Sequence, residues 1–208
     1  MIHERDGQAV TPALPASPTS PAARMVTDVL APAHVLVALL LVVGWHCGRE
    51  TGVAWAVGAG GVAVGIPLGV VLAGVRAGRY TDVHVRVRGQ RAVPLTVAVV
   101  SAATAVVLLG VLGAPRELVV LLCAIAAGLS VGGLITVWWK VSGHTAVAGA
   151  ATVILTALYG PALLLLLAPA ALVAWSRLVL RDHTPAQTVV GFLVGAVVSG
   201  AVFVPLYR

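Results

Sequence analysis

Residues 176–187, Ser176-Arg177-Leu178-Val179-Leu180-Arg181-Asp182-His183-Thr184-Pro185-Ala186-Gln187, gather two arginines, an aspartate and a histidine between two apolar runs. Two more polar islands precede this one. Trp139-Lys140-Val141-Ser142-Gly143-His144-Thr145 is the nearer, and Arg79 to Arg91, which holds His84, Arg86 and Arg88, is the farther. Nearly everything between the islands is hydrophobic, so the chain reads as helices in lipid joined by polar loops. Islands brought to one membrane face would form a site.

Composition sets the class. With 60% hydrophobic and 10% charged residues and a mean hydropathy of +1.04, the chain is far more apolar than a soluble domain. The net charge of +6 would suggest nucleic acid in a soluble protein. Here the arginines sit in short loops without the interleaved aromatics of a stacking platform, so no nucleic-acid partner is expected. Cys47 and Cys123 fall in or beside apolar runs, which suggests packing rather than a disulfide or thiolate metal site.

A hydrocarbon core of about 30 Å asks for about 20 residues of helix. Five runs satisfy this: 30–46, 53–75, 93–113, 118–138 and 188–206. Ahead of them, residues 1–29 carry Pro12, Pro15, Pro18 and Pro21 among Ala, Ser and Thr, and are expected to form a disordered tail. Residues 30–208 are expected to form one transmembrane domain. The run 145–175 has Gly160-Pro161 near its middle and admits two readings: one kinked crossing, or a hairpin of two arms of about 15 residues, roughly 22 Å each. Recurring small residues, Gly58 to Gly61 and Gly128, Gly132 and Gly133, are expected to allow close helix contacts.

The two later islands resemble motifs of the type 2 phosphatidic acid phosphatase (PAP2) superfamily. Its third motif is Ser-Arg, five residues, His, three residues, Asp. Ser176-Arg177 and His183 match it, with Gln187 at the Asp position. Its second motif, Pro-Ser-Gly-His, is matched by Ser142-Gly143-His144, with Val141 in place of Pro. The first, Lys, six residues, Arg-Pro, is echoed by His84 and Arg91, followed by Ala92.

The resemblance decides the topology. A single crossing over 145–175 would put His144 and His183 on opposite faces, so the hairpin is expected, for seven crossings in an all-α, polytopic PAP2-like bundle. It also implies the chemistry, a metal- and cofactor-free phosphatase acting on a lipid or polyprenyl phosphate. His183 would be the nucleophile and His144 the acid and base. Arg88, Arg91, Lys140, Ser142, Gly143 and Arg177 would bind the phosphate.

Gln187 has two readings. Thr184-Pro185-Ala186-Gln187 fits a capping box, and the amide could instead orient His183, though it cannot stabilise an imidazolium as a carboxylate would. Asp182 could supply the missing charge. A non-catalytic lipid-phosphate-binding or transport protein is the alternative. A magnesium-dependent prenyltransferase is disfavoured, because Asp82 and Asp182 are the only aspartates in the islands.

Ten Lys and Arg residues fall on the site side, which is also that of the N-terminal tail, against Arg49, Arg116 and Arg208 opposite. By the positive-inside rule the site faces the cytoplasm. His34 and His46 are expected to make helix–helix or interfacial contacts rather than to take part in chemistry.

Overall fold

The structure, a computed structural model, describes residues 20–207, the Arg88 side chain excepted. In chain order the helices are α1 (Pro21–Val29), α2 (Pro32–Gly60), α3 (Ile66–Arg76), α4 (Ala92–Val111), α5 (Arg116–Trp138), α6 (Gly143–Tyr159), α7 (Leu167–Val179) and α8 (Pro185–Tyr207). A π-turn, Gly61–Gly65, joins α2 to α3, and short 3₁₀ segments, Arg88–Gln90 and Pro161–Leu166, precede α4 and α7. The π-turn leads into Pro67, whose ring nitrogen cannot donate to the helix ladder. The expected all-α membrane bundle is observed.

Five helical elements among the described residues are long and apolar enough to cross a bilayer, the first being Pro32–Arg76 at 45 residues. That first element folds back on itself. Gly48 (φ −153°, ψ 15°) and Arg49 (φ 50°, ψ −127°) leave helical geometry, and a β-carbon on Gly52 would overlap the Gly44 carbonyl. Residues eight apart in a straight helix would lie about 12 Å from each other. Arg49 covers the Trp45 ring at 5.1 Å, a cation–π contact at the exposed end of the turn.

The hairpin expected over 145–175 also forms. Gly160 takes φ 96°, ψ 176°, a conformation glycine accepts most easily, and Pro161 starts the returning arm. The hairpin's first arm, α6, is an apolar helix of 17 residues, shorter than the five elements long enough to cross a bilayer by themselves. The two hairpin turns and the α4–α5 loop mark one face, and the three polar islands mark the other.

Two expectations need correction. Residues 20–29 were expected to belong to a disordered tail, but Ser20 Oγ accepts the Ala23 N–H at 3.3 Å and Pro21 occupies the first turn of α1. Proline at that position starts a helix, because its missing N–H would have had no partner there. α1 buries Ala23 and Thr27 and leaves Met25 and Val29 exposed, and it packs against α7. The remainder of the expected tail, residues 1–19, lies outside the described residues.

The second correction concerns glycine. A β-carbon on Gly58, Gly61, Gly128, Gly132 or Gly133 would meet nothing within 4 Å. Besides Gly44 and Gly52, the close backbone approaches are between α6 and α8, where Gly149 abuts the Phe192 backbone, Gly195 the Ala146 backbone and Gly191 both Ser142 and Thr145. Small residues let the two backbones touch in lipid, where no hydrophobic drive would bring them together.

The apolar core, built on Leu40, Val43, Ala105, Leu118, Leu121, Ile154 and Phe203, fills the half of the bundle away from the islands. The other half holds the buried polar side chains Thr27, Ser142, His144, Ser176, Arg177 and His183.

Candidate active site

The second and third islands meet first through backbone. The Ser142 N–H donates to the Gln187 carbonyl at 3.2 Å, so the N-terminus of α6 lies beside the first turn of α8. Ser142 caps α6, its Oγ accepting the Thr145 N–H at 3.4 Å, and it is fully buried. Gly143 is exposed at the helix start, where amide N–H groups favour an anion.

Gln187 serves both of its expected roles at once. Its Oε1 accepts the Thr184 N–H at 3.2 Å, while its own N–H donates to Thr184 Oγ1 at 3.3 Å, which completes a capping box. The same Oε1 lies 3.1 Å from His183 Nδ1. An atom that accepts from a backbone N–H must be the amide oxygen, and an oxygen can only accept from the ring as well. Nδ1 therefore carries the proton, and the lone pair is on Nε2. Burial pushes the His183 pKa down to about 3; Lys140, Arg177 and Arg91 add to this and the Gln187 bond opposes it. The imidazole is neutral over the physiological range.

Asp182 does not supply charge to His183. Its carboxylate lies 2.7 Å from Arg177 Nη2 and 3.4 Å from Arg86 Nε, and its backbone carbonyl accepts Lys140 Nζ at 2.6 Å. Burial, with Arg91 next, lowers the Lys140 pKa. The turn that presents His183 holds Arg181 at φ 53°, a left-handed conformation uncommon for a residue with a side chain.

Arg177 is 2% exposed. Nη1 donates to Thr27 Oγ1 at 3.1 Å, and Nε is buried without a hydrogen-bond partner. His144 is buried too, with Nε2 unpartnered, and the Thr27 carbonyl faces its ring.

The first island closes over this pair. The His84 ring lies 5.4 Å from that of His144, and His84 Nε2 is 3.0 Å from Asp28 Oδ1. Arg91 binds the Val85 carbonyl through Nε at 2.9 Å and the Val141 carbonyl through Nη1 at 3.5 Å, so it braces two islands together. Arg88 opens the 3₁₀ turn; its side chain lies outside the described residues. An open pocket of about 530 Å³ borders His183, Lys140, Arg181, Asp182 and Gln187.

His34 and His46 lie elsewhere. The His34 ring donates to the Asp28 carbonyl at 2.9 Å, and His46 meets Tyr159 edge-on at 5.1 Å.

Two motif histidines lie at one face, and one of them, His183, has a free Nε2 lone pair near Arg177 and Arg91. Residues 136–207 match the PAP2 superfamily model. The matched segment runs from the end of α5 through α8 and contains both motifs that resemble the family's. It leaves α1 to α4, and with them His84, Arg91 and Thr27, outside. No curated protein and no solved structure matches the chain.

Sequence reading had placed Arg177, His144, His183, Lys140, Ser142, Gly143, Gln187 and Arg91 in the islands, and the fold brings them to one face. It missed His84 as a neighbour of His144, although His84 stands at the Lys position of the echoed first motif. Thr27 and Asp28 were missed as well. The signal for them was Ser20-Pro21 followed by Ala23 and Thr27, a capped start with two small residues spaced for one helical face.

Proposed function

We propose that this multi-pass membrane protein is a phosphatase that releases phosphate from a lipid or prenyl mono- or diphosphate through a phosphohistidine on His183. The observation that carries the reading is the state of that ring: Nδ1 donates to Gln187, Nε2 keeps its lone pair, and burial among cations keeps the imidazole neutral.

In the first step the Nε2 lone pair attacks phosphorus in line. The bond from phosphorus to the leaving oxygen breaks, and that oxygen takes a proton from His144, which enters the step as the imidazolium after taking the proton of a monoanionic substrate phosphate. In the second step His144 removes a proton from water, hydroxide attacks the phosphohistidine, the P–N bond breaks and phosphate departs. Such transfer is mostly positioning and charge stabilisation, for which Arg177, Arg91, Arg88, Lys140 and the exposed α6 N-terminus at Gly143 are suited, with Ser142 holding that terminus in place. No metal enters this scheme. The nearby carboxylates are already engaged, Asp182 by Arg177 and Arg86, and Asp82 by the backbone of its own loop.

One observation favours a second reading, a lipid-phosphate-binding or transport protein: among the described residues no carboxylate contacts the His183 or His144 ring. Purified protein incubated with dioctanoyl phosphatidic acid and a chelator decides between them. Phosphate release that vanadate inhibits supports the phosphatase, and tight binding without release supports the binding protein. The surplus of cations on the site side supports a cytoplasmic orientation.

A further inference from the structure

We propose that Thr27 is a positioning residue for Arg177, so that α1, outside the matched segment and the three islands, is a working part of the phosphate site. The inference rests on the phosphatase reading above.

Hydrogen-bond polarity carries the argument. Ser176 Oγ lies 2.7 Å from the Val173 carbonyl, which can only accept, so the Ser176 proton is committed there. Thr27 Oγ1 lies 3.1 Å from Ser176 Oγ and must therefore donate to it. The Thr27 oxygen is left to accept from Arg177 Nη1 at 3.1 Å. Asp182 Oδ2 lies 2.7 Å from Nη2 as an ion pair. The Thr27 bond is the hydrogen bond that fixes the orientation of the guanidinium, the Asp182 ion pair adds charge but no directed bond, and Nε presents an N–H that is buried and unpartnered. That N–H is a fixed donor for an oxyanion oxygen. Thr27 itself is 1% exposed, so no water replaces its hydroxyl. Its carbonyl faces His144, and one residue of α1 thus touches both matched motifs.

The test uses full-length protein, orthovanadate binding, and turnover of dioctanoyl phosphatidic acid. Thr27→Val keeps the side-chain volume and removes the hydroxyl. It should weaken vanadate binding and raise KM by about tenfold to a hundredfold, the scale of a lost hydrogen bond to a charged group. The effect on kcat should be smaller, and Thr27→Ser should restore wild-type values. Vanadate binding by Thr27→Val equal to wild type, while Arg177→Ala loses it, would overturn the inference and leave the phosphatase reading intact. A wild-type protein that neither binds vanadate nor releases phosphate would overturn both. Should Thr27→Val fail to fold, Thr27→Ala takes its place with the same expectation. If neither folds while Thr27→Ser does, the hydroxyl is structural and the inference is wrong.

Discussion

His183 Nδ1 and the Thr184 backbone N–H share a single acceptor, Gln187 Oε1, at 3.1 and 3.2 Å. One amide therefore caps α8 and sets the imidazole tautomer. Glutamate accepts both bonds equally well, so Gln187→Glu should fold as wild type. It should also place a charge beside the ring, raise the His183 pKa, and move the acid limb of kcat/KM to higher pH with faster turnover. Gln187→Leu loses both bonds and should cost about 0.5–2 kcal/mol as a lost cap, read as a lower melting temperature together with weak activity. A Gln187→Glu profile that superimposes on wild type would show that the amide has no part in the chemistry.

The two histidines should respond differently to truncation. His183→Ala should release no phosphate, because no covalent intermediate can form. His144→Ala should still bind vanadate but lose turnover by about 10²–10⁴, the usual worth of general acid–base help. Radiolabelled phosphate trapped on the protein after an acid-free quench should be found in wild type and be missing from His183→Ala.

A pH dependence follows from the depressed His183 pKa. Between about 6.5, where an ordinary imidazole titrates, and about 3, the unfolded chain takes up a proton that folded His183 refuses. The unfolded state binds more protons across that window, so stability falls as pH falls through it and is unaffected above it. His183→Asn should flatten that slope in chemical denaturation. Acylation of His183 by diethylpyrocarbonate, which needs the neutral ring, should keep its rate from pH 7.5 to 5, followed by peptide mass spectrometry.

Glycine substitutions should separate packing from composition. Gly195→Leu drives a side chain into the Ala146 backbone. It should push α8 off α6, at a cost of about 1–3 kcal/mol or more, and lower the yield of monodisperse protein. Gly128→Ala meets nothing within 4 Å and should be neutral, or stabilising by up to about 1 kcal/mol. Tryptophan-fluorescence melting in detergent reads both.

The sequence alone determined the membrane class, because bilayer thickness and the demand that every backbone polar group be satisfied turn hydropathy directly into helices. For the hairpin at Gly160-Pro161 the run itself admitted two readings, and the motif resemblance, which implies that Ser142-Gly143-His144 and Ser176-Arg177…His183 meet at one face, chose between them. The capping box at Thr184 to Gln187 was legible too, being a matter of four consecutive residues. Only the tertiary structure decided which polar groups pair. Asp182 turns to Arg177 and Arg86 rather than to His183, and Thr27 and Asp28 reach Arg177 and His84 from about 150 and 56 residues away in the chain. Which glycines permit contact was likewise a tertiary matter: Gly191 and Gly195 are tight and Gly128 and Gly132 are not, though all four sit in apolar helices. A pattern along one helix says which face is small, but the neighbour that uses that face is set by how the whole bundle packs.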